Sequence, residues 1–295
     1  MIYLGNFDLP ARSVGKFIVN TAGTNLALPP LAMPFFRSDK YISQFIDVTG
    51  LSQAVAKEYQ TRYPKNVELG IQAYFDHQLT SQNPPTQITK KLKEVADTYR
   101  DPSKPDRIEI DGTLQYISDL GVEPEDYRAL VLAYLLHLPE LGVFEVSEFL
   151  NVWGSLKKEL LTEMREYLDN YSEEIVANVQ QFKKMYAYTF GFLMLVPNQK
   201  LLKAEDAVEY WKLLFPLIIH GEKSRERLDQ WCSFVLEEWK HQVSKDMWIM
   251  TLEFFLEVVD DDPETFSKWN EELSYPLVVD LYVEYLRDAG SLPEA

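Results

Sequence analysis

Cysteine and histidine are scarce in this chain of 295 residues, which has one cysteine, Cys232, and four histidines. A single cysteine can form neither an intramolecular disulfide nor a zinc site built on several thiolates. The histidines are far apart in the sequence and form no HExxH pair. The sequence therefore excludes a disulfide scaffold and a zinc-dependent RING ligase.

Basic residues are also few: the chain has 29 lysines and arginines and 46 aspartates and glutamates, which gives a net charge of −17. This charge disfavours a nucleic-acid surface and favours a basic protein partner. No stretch of about 18 apolar residues is present, and the first residues lack the basic start of a signal peptide. We expect a cytoplasmic and nuclear protein that binds neither nucleic acid nor a membrane.

Motifs for nucleophilic or phosphate chemistry are also missing, because the chain contains no GxSxG, GxxxxGK or GxGxxG. Cys232 stands beside Trp231 in a helical pattern, without a neighbouring histidine or cationic run to activate it. A buried apolar role is favoured for this thiol, and a thioester-forming nucleophile is the enzymatic alternative. We expect no catalytic residues and no cofactor.

Apolar residues, in contrast, make up 46% of the chain and recur at intervals of three and four positions. This periodicity is typical of helices packed on a core. One such helix is predicted to begin at Ser244 as its N-cap, with Trp248 and Leu252 on the inner face. Because the chain exceeds the size of an ordinary single core, a second, smaller module is expected. The predicted fold class is all-α.

Acids are concentrated at the end of the chain, where thirteen acids and two bases lie between Asp246 and Ala295. Pro276 is predicted to begin a last helix and Gly290 to end it. This helix carries Asp280 and Glu284 one turn apart. The acidic stretch is therefore a candidate surface for a basic partner.

The same region contains a series of motifs: YWxLL at Tyr210 to Leu214, KDxW at Lys245 to Trp248, and EExxYP at Glu271 to Pro276. An acid before an aromatic residue and a VE pair follow, at Asp280, Tyr282, Val283 and Glu284. In this order the motifs resemble the potentiating-neddylation domain of the defective-in-cullin-neddylation family. The resemblance implies such a domain over residues 90–290, acting as a non-catalytic, scaffold-type ligase component that promotes cullin neddylation.

The resemblance implies two docking surfaces. An acidic, small, acidic patch that docks the C-terminal domain of a cullin matches Asp246, Ser274 and Asp280, with serine in place of the usual alanine. An apolar pocket would hold the acetylated N-terminal methionine of the neddylation conjugating enzyme. Its walls would come from Ile110, Thr113, Ile117, Ala129, Leu132, Leu136, Phe144, Phe192 and Leu213.

Two twelve-residue stretches have the outline of calcium-binding loops but lack the ligands. In the first, Asp101 to Gly112, glycine replaces the bidentate glutamate that closes such a loop. The second, His137 to Glu148, keeps that glutamate but has no suitable oxygen at three earlier ligand positions. We expect degenerate, paired EF-hand-like motifs joined by a short pairing of Ile108 with Phe144, without metal. A calcium sensor and an EF-hand-like adaptor with a different partner are the alternatives.

Residues 39–78 are predicted to form three short helices with a break at Thr49 and Gly50. The pattern is similar to a ubiquitin-associated domain, which implies ubiquitin or the ubiquitin-like cullin modifier as a partner, and a generic three-helix bundle is the alternative. Residues 79–89 are predicted to be a linker. Residues 1–38 are expected to be a disordered extension without an assigned function, and a translation start at Met33 is the alternative.

Overall fold

The computed structural model describes residues 38–63, 66–80, 88–194, 196, 199–270 and 275–293. Across these ranges the chain forms thirteen α-helices and two small two-stranded sheets, which confirms the all-α fold class. None of the helices in the described ranges is long and apolar enough to span a membrane. The unassigned residues 1–37 and most of the predicted linker, together with Ser274, lie outside the description.

The three predicted N-terminal helices are confirmed: α1 is Ser38–Thr49, α2 is Gln53–Arg62 and α3 is Val67–Thr80. They pack around Phe45, whose ring centroid lies 5.0 Å from that of Tyr59 and 6.2 Å from that of Tyr74. Gly50 follows α1 with a φ of +69°, a left-handed conformation that favours glycine. These residues form what is called here the small bundle.

The first half of the main domain contains α4 (Lys90–Tyr99), β1 (Arg107–Ile108), α5 (Ile110–Asp119), α6 (Tyr127–Leu135), β2 (Phe144–Glu145) and α7 (Val146–Ser155). The two strands are antiparallel, and Ile108 lies opposite Phe144, which confirms the predicted pairing. Both side chains are buried. The pairing therefore joins the helix pairs through an apolar contact.

The second half contains α8 (Leu161–Ala177), α9 (Val179–Phe192), β3 (Leu201–Leu202), α10 (Ala204–Leu214), α11 (Glu222–Phe234), β4 (Val243–Ser244), α12 (Lys245–Phe254) and α13 (Leu277–Asp288). Strands β3 and β4 are also antiparallel, with Leu202 opposite Val243. The main domain thus contains a second short strand pairing that links helices. This pairing was not predicted from the sequence.

The tryptophans of the YWxLL and KDxW motifs meet in the core. The Tyr186 hydroxyl donates to the carbonyl of Trp248 at 2.8 Å and accepts from the Trp211 indole at 2.8 Å. The Trp248 indole donates to the backbone carbonyl of Tyr186, and the rings of these two residues stack at 4.4 Å. Because all three side chains are fully buried, this network fixes the orientation of α12.

The small bundle packs against the main domain. The Tyr63 hydroxyl donates to the carbonyl of His137 at 3.3 Å, and the Arg62 guanidinium lies 3.9 Å from Glu148. Glu148, the last position of the second degenerate loop, also contacts His137 at 3.3 Å. The loop that keeps a calcium-type glutamate therefore uses it for contacts with a histidine and an arginine.

Candidate partner-binding sites

An apolar cavity opens between α5, α6, the second degenerate loop and the later helices. It encloses about 570 Å³, its open mouth included. Its lining consists of Ile110, Thr113, Leu114, Ile117, Pro124, Ala129, Leu130, Leu132, Ala133, Leu138, Leu141, Gly142, Phe144, Phe192 and Tyr210. Nearly all of these side chains are aliphatic or aromatic, so the cavity suits an uncharged apolar group.

Seven of the nine residues predicted for the pocket line this one cavity. They are Ile110, Thr113, Ile117, Ala129, Leu132, Phe144 and Phe192. Leu136 and Leu213 are not among the lining residues. Leu136 is the C-cap of α6, where its amide still donates to the carbonyl of Leu132, and its side chain is buried in the core. Leu213 packs half-buried against the core.

Thr113, the hydroxyl-bearing residue predicted for the pocket, has its hydroxyl satisfied. It donates to the carbonyl of Gly142 at 2.9 Å, and its side chain is buried. Gly142 has a φ of +74°, and a Cβ there would lie 3.1 Å from Ile110. A side chain at this position would be strained by the positive φ and crowded by Ile110, and the Thr113 hydrogen bond holds the loop against α5.

Several wall residues were not predicted as such: Leu114, Pro124, Leu130, Ala133, Leu138, Leu141, Gly142 and Tyr210. Two features of the sequence could have indicated some of these wall residues. Leu141 and Gly142 stood in the loop where calcium ligands are absent, and Tyr210 begins the YWxLL motif. Burial, with a smaller contribution from Asp206, raises the pKa of Tyr210 to about 12, so this phenol stays protonated at neutral pH.

The two predicted acids of the cullin-docking patch lie in the first turns of neighbouring helices. Asp246 is exposed in α12, where the Ser244 hydroxyl accepts from the Met247 amide at 3.1 Å, which confirms the predicted N-cap. Asp280 is half-buried in α13. The predicted third member, Ser274, lies outside the described residues, so its place in the patch stays a prediction.

Helices α12 and α13 are held together by aromatic contacts. The ring of Phe254 lies 6.3 Å from that of Tyr282 and 5.6 Å from that of Tyr275. The buried guanidinium of Arg227 donates to the carbonyls of Pro263 and Ser291, at 2.8 and 2.7 Å. These contacts fix the loop after α12 and the end of the chain, so the acids stand on a rigid support.

Comparisons with known proteins identify the family of the chain and its cullin-binding region. Residues 163–285, which include α12 and most of α13, match the family described as Cullin binding. Defective in cullin neddylation protein 1 of Yarrowia lipolytica is 33% identical over 247 residues, a match that covers 84% of this chain and 96% of that protein. The chain belongs to the defective in cullin neddylation family. The resemblance inferred from the motifs is thereby confirmed.

Other members of the defective in cullin neddylation family extend the comparison. The protein of the same name from Candida albicans is 31% identical over 283 residues, covering 83% of this chain and 96% of its own length. DCN1-like protein 3 of Drosophila melanogaster is 28% identical over 196 residues, covering 66% of this chain and 55% of its own length. The matches to the Yarrowia lipolytica and Candida albicans proteins each cover 96% of the relative, so the likeness is not confined to one motif.

Cys232 does not resemble an activated nucleophile. It is buried in α11 with 1% of its surface exposed, and this burial raises its pKa to about 12. A reactive cysteine requires the thiolate near neutral pH and access to its substrate. The thiol instead packs beside Trp231 as a small apolar group.

Proposed function

We propose that this protein is a non-catalytic scaffold that promotes cullin neddylation. It would bind the C-terminal domain of a cullin through the cullin-docking patch. It would bind the acetylated N-terminus of the neddylation conjugating enzyme through the cavity. Holding both partners on one domain raises the effective concentration of the charged enzyme at the acceptor lysine. Membership of the cullin-binding family supports the first contact.

The observation that carries the second contact is the cavity itself. Seven residues from separate segments of the chain, predicted to form a pocket for an acetylated methionine, converge on one opening. Among the described residues that line it, none carries a carboxylate or an ammonium group. A free N-terminal ammonium would lose its hydration in such a site, at a cost of several kcal/mol, and acetylation removes that charge.

The cullin contact rests on charge. Asp246 and Asp280 lie in a terminal region with thirteen acids and two bases, opposite in sign to the basic surface expected of the partner. Such charges steer association and fix the orientation of docking. Both acids stand in the first turns of their helices, where a negative charge interacts favourably with the helix dipole.

A reconstituted neddylation reaction tests the proposal. The rate of transfer to a cullin is measured with and without this protein, using the conjugating enzyme in acetylated and unacetylated form. We expect stimulation that requires the acetyl group and that is lost in Leu132→Arg, which places a charge in the cavity. Equal stimulation with both forms would remove the pocket from the proposal, and no stimulation with either would remove the scaffold role.

We further propose that the small bundle binds ubiquitin or the ubiquitin-like cullin modifier and that the protein acts in the cytoplasm and nucleus. The three-helix arrangement around Phe45 supports the first of these. Titration of isotope-labelled ubiquitin and of the modifier with the full chain distinguishes the two ligands. A generic bundle would perturb the spectrum of neither.

A further inference from the structure

The outer face of α13 exposes apolar side chains between acids. Leu277 is 64% exposed and Tyr285 is 36% exposed, and half-buried Leu281 lies between them. The acids of the same face are Asp280, Glu284 and Asp288. At the spacing of three and four residues these six positions form one continuous stripe, called here the outer stripe of α13.

The opposite face of the helix accounts for its attachment to the domain. Val278, Val279, Tyr282, Val283 and Leu286 are all buried there. The buried face supplies most of the packing, whereas Leu277 and part of Tyr285 remain in contact with water. Single exposed leucines are ordinary on protein surfaces, so exposure alone does not indicate a partner.

Two further observations point to a partner. The match to the cullin-binding family extends through the stripe as far as residue 285. Tyr285 is also held in place, since its ring lies 5.3 Å from that of Phe234, so docking would order it little further. Interface energy is concentrated in such apolar and aromatic anchors, whereas surrounding charges mainly govern association and specificity.

We propose that the outer stripe of α13 is the apolar part of the cullin-docking surface and that Leu277, one turn before Asp280, is its anchor. This rests on the proposed function. The matching cullin surface would be an apolar hollow bordered by lysine or arginine side chains. Specificity among cullins would then depend on the shape of that hollow as well as on charge.

Salt distinguishes an apolar anchor from a charged contact. We would titrate the full chain with a cullin C-terminal domain at about 0.15 M and about 0.5 M sodium chloride. The electrostatic screening length is about 8 Å at the lower concentration and shorter at the higher one. Leu277→Ala should weaken binding about tenfold at both concentrations, because burial of apolar surface is not screened. Asp280→Asn should weaken binding more at the lower concentration than at the higher one.

Leu160→Ala is the matched control, because Leu160 is a 48% exposed leucine that precedes the cullin-binding match. It should bind like the wild type at both salt concentrations. The thermal midpoint and the acetylated-peptide affinity of Leu277→Ala should also equal those of the wild type, since the side chain is exposed and lies outside the cavity.

The anchor would be overturned, and the proposed function left intact, if Leu277→Ala bound within twofold of the wild type while charge reversal at Asp246 and Asp280 weakened binding about 30-fold or more. A loss that disappears at high salt, or an equal loss in Leu160→Ala, would also overturn it. If the wild type fails to bind any cullin, the proposed function falls, and the anchor with it.

Discussion

The α-carbon of Gly112 faces the carbonyl oxygen of Tyr99 so closely that a Cβ at this position would lie 2.0 Å from that oxygen. Gly112 stands where a calcium-binding loop has its bidentate glutamate. The end of α4 occupies the space that such a side chain would need. The missing ligand is therefore part of how α4 and α5 pack.

We predict that calcium leaves the stability of the protein unchanged. A ligand raises the melting temperature only when it binds the folded state, and the first loop has no room for its main ligand. The Asp101 carboxylate already accepts hydrogen bonds from Ser103 and Lys104. A rise in the thermal midpoint with millimolar calcium, abolished in Asp101→Ala, would show that this loop binds the ion after all.

Acetylation should govern binding of the conjugating-enzyme peptide. Because the described wall residues carry no counter-charge for an ammonium, the acetylated peptide is expected to bind at least about 100-fold more tightly, equivalent to about 3 kcal/mol. Calorimetry with the two peptides measures the ratio. Leu132→Arg should lose the acetylated peptide, Leu160→Ala should not, and equal affinities for both peptides would contradict the assignment.

Charge reversal at Asp246 and Asp280 together should weaken cullin binding about 30-fold or more, because repulsion replaces attraction at two contacts. Pull-down and interferometry with a cullin C-terminal domain measure the effect. The acetylated peptide should still bind, since neither acid lines the cavity. Wild-type binding should weaken as salt rises. Undiminished capture of the cullin by the doubly reversed protein would refute the patch.

Cys232 should be unreactive and dispensable. With its pKa raised to about 12 by burial, the thiol is protonated throughout the neutral range, and the thiolate would appear only as the pH approaches that value. Alkylation of the folded protein at pH near 8 should be far slower than alkylation after denaturation. Cys232→Ala should retain full stimulation of neddylation, and an inactive but folded variant would restore the enzymatic alternative.

Thr113→Val should destabilise the protein although the two side chains have the same shape. The substitution leaves the Gly142 carbonyl without the hydroxyl that now donates to it, at a cost of about 1 to 3 kcal/mol. Urea unfolding monitored by tryptophan fluorescence gives the difference. Thr98→Val on the exposed side of α4 is the control and should change stability by less than about 0.5 kcal/mol. Equal effects would show that the hydroxyl contributes little.

The sequence by itself determined the features that depend on local patterns. Periodicity gave the helices, and Ser244 gave the start of α12, because a hydroxyl at that position satisfies an amide of the first turn. The Ile108–Phe144 pairing followed from the outline of the degenerate loops. The motifs, taken in their order along the chain, indicated the family. Each motif combines several residues, so the series as a whole is specific.

Only the tertiary structure decided which apolar residues face the cavity and which face the core. Leu132 and Leu136 are one helical turn apart and both buried, but only Leu132 lines the opening. The contact between Arg62 and Glu148 joins segments that are far apart in the chain. Periodicity shows that a side chain is buried, whereas its neighbours are fixed by long-range packing, which no local pattern specifies.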